Sequence, residues 1–150
     1  MIQSPGLTLE QLLDHAEGLA RRRLVGRRAV EARAYAADAE GRVTAFGFPV
    51  PADEAGRQAL AMLLRTEMER RQAVMSVLAL EATVRTGGGD ALACLVLEGQ
   101  QIRPVARTEL RLLAIERAAR GRTITGLRRL PGPAAAAAPG VEGPAPARRA

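Results

Sequence analysis

The chain has 150 residues, with 22 Lys+Arg against 16 Asp+Glu and a formal net charge of +6. All the cations are arginine, Asn and Trp are absent, and Ala, Gly, Pro and Arg dominate, as a GC-rich coding sequence imposes; part of the basicity is therefore compositional. A hydrophobic fraction of 47% excludes a disordered chain, the lone cysteine excludes an intramolecular disulfide, and the lone histidine excludes a His-pair metal site.

The length fits a single domain over residues 1–130, followed by a tail at 131–150 whose Pro, Gly and Ala composition predicts disorder. With 2% aromatic residues, the core must be built from Leu, Val, Ala and Met. Met1 to Leu7 lack the basic and apolar regions of a secretory signal, and no run of residues has the length and apolarity of a membrane span. Together with the cysteine usage, this predicts a soluble cytoplasmic protein with no membrane association.

In chain order, Thr8 and Gln11 form a capping-box pattern ahead of Leu9, Leu12, Leu13, Ala16, Leu19 and Ala20, with Arg21, Arg22 and Arg23 closing the last turn; this predicts a helix over 8–23. Residues 29–37 and 42–50 flank Asp38-Ala39-Glu40-Gly41 and read as a hairpin, ended by Pro49 and Pro51. A second helix is predicted over 53–71, with Leu60, Leu63, Leu64 and Met68 as its apolar stripe. Residues 73–85 read as a central strand covered on both faces, and 91–98 as its antiparallel return. Gly99-Gln100-Gln101 is expected to turn, with 102–107 as an edge strand because of Pro104. Residues 107–120 suit a helix or a strand; the turn-like Ala119-Arg120-Gly121 and the β-branched residues after it favour a second hairpin, 108–117 with 122–129. The predicted fold class is α+β, an antiparallel sheet of four to six strands with two helices packed on it.

No residue pattern identifies a catalytic, cofactor-binding or metal site. His15 reads as a solvated helix residue, and Cys94, inside Leu92-Ala93-Cys94-Leu95-Val96, as a buried small hydrophobe. A Cys94–His15 pair would require the first helix to pack on the strand face that carries the thiol. Gly87-Gly88-Gly89 lacks the lysine and the following helix of a phosphate loop. Phe46-Gly47-Phe48 matches the aromatic core of the strand signature in RNA-recognition domains, but Ala45, Pro49 and the order of elements depart from it, so core packing is the expected role.

The densest charge cluster is Arg21, Arg22, Arg23, Arg27 and Arg28, either a solvated helix end or a contact surface for an anion or nucleic acid. The function expected from these observations is that of a non-enzymatic accessory or binding protein, without a cofactor, acting on an unknown protein partner or as a homodimer. Nucleic-acid binding through the Arg21–Arg28 cluster is the first alternative, and an enzyme with dispersed residues the second.

Overall fold

The computed structural model describes residues 6–25, 32–85, 87–118 and 123–130. The predicted tail at 131–150, and Arg27 and Arg28, lie outside these residues.

Helix α1 spans Leu9–Leu24. The capping box closes its start: Gln11 N–H donates to the Thr8 hydroxyl at 3.1 Å and Thr8 N–H donates to the Gln11 side-chain oxygen at 2.9 Å, satisfying two amides that have no partner inside the helix. Strands β1 (Ala32–Asp38) and β2 (Val43–Phe48) form the expected hairpin. Helix α2 (Glu54–Arg70) then leads into β3 (Ala73–Arg85), β4 (Ala91–Gln101), β5 (Arg107–Arg117) and β6 (Ile124–Arg129). The six strands form one antiparallel-paired sheet in the order β2-β1-β3-β4-β5-β6. The antiparallel α+β architecture and the β5–β6 hairpin follow the expectation from sequence.

Strand alternation gives the sheet two unlike faces. One carries Tyr35, Met75, Val77, Leu95, Leu97 and Leu113, all buried beneath Leu9, Leu12, Leu13 and Ala16 of α1. The opposite face carries Val84, Cys94 and Leu112, with Leu92, Val96, Leu110 and Leu130 packed around them and only partly buried. Helix α2 lies over this second face, at its β1 and β3 side.

Three expectations are corrected. Gly99-Gln100-Gln101 does not turn: β4 continues through it, pairing Gly99 with Val77 and Gln101 with Met75, and residues 102–106 form the loop instead of an edge strand. Gly99 suits this position because a Cβ there would stand 3.1–3.2 Å from methyl groups of Leu9 and Leu13, tighter than ordinary packing. The middle of β3 is covered fully on one face only. Finally, α2 is a helix but its stripe is not core: no α2 residue is buried, and Leu63 remains 53% exposed.

Candidate functional site: a cleft between helix α2 and the sheet

Asp53 caps α2, accepting the Gly56 N–H at 2.8 Å, and Glu54 pairs with Arg57 in the first turn. At the other end Glu67 pairs with both Arg70 and Arg71, and the Arg71 guanidinium lies 5.0 Å from the centre of the Phe46 ring. These contacts fix both ends of the helix locally, and the cation–π contact links its C-terminus to β2. Between them α2 stands away from the sheet, leaving a cleft of about 750 Å³.

Ala61, Leu64 and Met68 form the apolar roof of the cleft, beside Arg65 and Glu69. Ala34, Ser76 and Leu78 form the floor, with Glu98 and Gln100 from β4. The end nearest the α2–β3 turn is lined by Gln72, Ile102 and Arg103. Gln72 has φ of 53°, a left-handed conformation uncommon outside glycine, and its N–H donates to the Glu69 carbonyl at 3.1 Å. That tight turn holds the helix at the level of β3 while leaving its apolar side chains over the sheet. The volume falls in the range of small-molecule sites.

The side chains of Arg65, Glu69, Glu98 and Arg103 make no ion pair among the described residues. Elsewhere pairing is the rule. Arg42 bonds Asp38 and Glu40, Arg107 bonds Glu10 and Glu109, Arg117 bonds Glu81, and Arg128 bonds Glu116. The densest network lies across α1, β5 and β6, where half-exposed Arg21 and Arg129 and nearly buried Arg111 converge on the buried Glu17 carboxylate. Burial pushes the Glu17 carboxyl up, but hydrogen bonds and charge from Arg129 and Arg21 outweigh it and hold the group below its ordinary value.

The Arg21–Arg28 cluster is divided by this arrangement. Arg21 is committed to Glu17 and to the Leu127 carbonyl, whereas Arg22 and Arg23 are exposed at the end of α1. Arg27 and Arg28 lie outside the described residues. Phe46 and Phe48 share a face but are half-buried next to Ala34 and Ala32, not in the core. His15 is exposed, with its ring edge-on to Tyr35 at 6.0 Å between centroids. Cys94 is fully buried on the opposite face of the sheet, where burial raises its thiol pKa against the lowering effect of Arg128. A Cys94–His15 pair is therefore ruled out by the intervening sheet.

Sequence reasoning missed the cleft. Leu64, Met68 and Leu78 carried its signal, but an apolar helical stripe looks the same whether it packs on a sheet or roofs a gap above one. No family model, no curated protein and no solved structure matches this chain.

Proposed function

We propose that this chain is a non-enzymatic binding protein that takes a small molecule with an apolar body into the cleft beneath α2. The observation that carries this reading is a 17-residue helix with no buried residue, standing over a mixed sheet face that carries Ala34 and Leu78, across a cleft of about 750 Å³. Helices of this length draw most of their stability from burying a face, and Leu64 and Met68 are only half-buried, so part of that stabilisation is missing. A bound apolar group would supply it. Neither His15 nor Cys94 lines the cleft, and its polar groups are suited to hydrogen bonding and charge recognition.

The test uses an environment-sensitive hydrophobic dye with the full chain and with Leu78→Glu, which places a charge in the cleft floor without touching the core beneath α1. The dye should bind the parent and bind the variant about tenfold or more weakly, since a buried carboxylate would have to be desolvated. Equal binding by parent and variant would reject the cleft as the site.

A second reading is polyanion binding at one end of the sheet, favoured by the distribution of charge. Exposed Arg22 and Arg23 end α1, and Arg85 and Arg117 end β3 and β5 at one end of the sheet, where Arg117 pairs with Glu81. Described carboxylates near them include Glu81 and Asp90. An excess of positive charge at the end of α1 would attract phosphate groups.

A further inference from the structure

We propose that the ligand of the cleft is a single-chain lipid with a zwitterionic phosphate–ammonium headgroup; this rests on the reading of the cleft as a binding site and names its occupant. The floor of the cleft is the face of the sheet, where the backbone amides and carbonyls of β1, β3 and β4 are engaged in ladder pairing. A peptide laid there would find few partners for its own amides, and unpaired amides are costly away from water. A hydrocarbon chain has no such requirement. Ala34, Leu64, Met68 and Leu78 offer it apolar contact.

The headgroup follows from the charges. Glu69 and Arg103 have opposite sign, stand on opposite walls, and make no ion pair among the described residues, although both line the cleft. Helical rise of about 1.5 Å per residue puts Glu69 only about 5 Å back from Gln72. Arg103 lies at the same level, since its N–H donates to the Val74 carbonyl at 3.4 Å, just beyond the turn. One carboxylate and one guanidinium thus stand at the end of the cleft nearest the α2–β3 turn. A phosphate would take charge-assisted hydrogen bonds from Arg103, and an ammonium would donate to Glu69. A purely anionic headgroup would face the Glu69 carboxylate without compensation. Arg65, one helical turn further along, can lay its aliphatic stem against the chain and keep its guanidinium at the rim. Glu98 stands at the far end, beside Leu78 in register.

The experiment measures calorimetric affinities of the full chain for three palmitoyl lipids, each below its micelle-forming concentration. They are lysophosphatidylethanolamine, lysophosphatidic acid and monoacylglycerol. The zwitterionic lipid should bind about tenfold more tightly than either of the others, the scale of a charge-assisted contact. Arg103→Gln and Glu69→Gln, both exposed and outside the core, should each remove most of that preference. Equal affinity for all three lipids, preference for lysophosphatidic acid, or an unchanged preference in both variants would overturn the headgroup assignment. If the dye still distinguishes parent from Leu78→Glu in that case, the cleft stands as a site for another apolar ligand. Failure of all three lipids to bind overturns the lipid proposal, and insensitivity of the dye to Leu78→Glu separately overturns the cleft.

Discussion

Glu17 shows how one residue can join three elements. Its carboxylate is nearly buried, and its partners come from α1 itself, from β5 and from β6. Replacing it by Gln keeps the shape but leaves Arg21, Arg111 and Arg129 converging without a counter-charge. We expect Glu17→Gln to cost about 3 kcal/mol at neutral pH, the low end for breaking a buried pair because two of the three arginines are half-exposed. The pH dependence has a definite sign. A carboxyl depressed by folding contributes stability that is complete above its ordinary value of 4.5 and is lost as pH falls through the lower folded value. Urea midpoints of parent and variant should therefore differ most above pH 5 and converge below pH 4.5. A difference that stayed constant into acid would show that the contribution of Glu17 is steric.

At the scale of elements, the closest approach of helix and sheet is at Gly99. A methyl there would meet Leu9 and Leu13 at 3.1–3.2 Å, and both leucines are fully buried, so they have little room to give the few tenths of an ångström required. Gly99→Ala should lower stability by about 1–3 kcal/mol, the usual cost of overpacking. Gly47→Ala is the control: its nearest neighbour is the Ala32 carbonyl oxygen at 3.6 Å, ordinary contact distance, and relief of glycine's entropy should leave stability unchanged or raise it by up to about 1 kcal/mol. Matched denaturation curves decide both, and equal effects at the two glycines would refute the packing argument. Gly99 also marks what the sequence could and could not convey. Local chemistry was legible: the Thr8–Gln11 box, the Asp38–Gly41 turn and the alternation through Ala73–Arg85 each locate an element. The continuation of β4 through Gly-Gln-Gln was not, because the reason for that glycine is a leucine pair some ninety residues earlier. The cleft was hidden for a related reason. Spacing shows which side of α2 is apolar, but its distance from the sheet depends on the Gln72 turn and the Arg71–Phe46 contact, which are tertiary.

On the scale of the whole molecule, the charge is unevenly distributed. Sixteen of the 22 arginines and fourteen of the 16 carboxylates belong to the described residues, which leaves +2 on that body and +4 on the rest of the chain. Arg27 and Arg28 fall in the sequence between α1 and β1, and Arg120 and Arg122 between β5 and β6. Weak binding of a generic oligonucleotide at low ionic strength is therefore expected, fading by about 0.15 M salt as counterions screen it. Reversing Arg22, Arg23 and Arg28 to Glu should abolish that binding and leave dye binding in the cleft unchanged. Micromolar oligonucleotide affinity that survived at about 0.15 M salt and disappeared in the variant would make the polyanion reading the better one.

The lack of burial along α2 also separates two kinds of motion. The core beneath α1 closes without any side chain from α2, so lifting α2 exposes little apolar surface that is not already partly wet. Opening of this kind belongs to the low-free-energy end of native fluctuations, far below the cost of global unfolding. Its timescale is that of local helix and loop motion, from about microseconds upward. Whatever enters beneath α2 can therefore be exchanged many times within the lifetime of a single folded molecule. Residence of a ligand there would depend on the contacts of the cleft, while the sheet and α1 remain folded throughout.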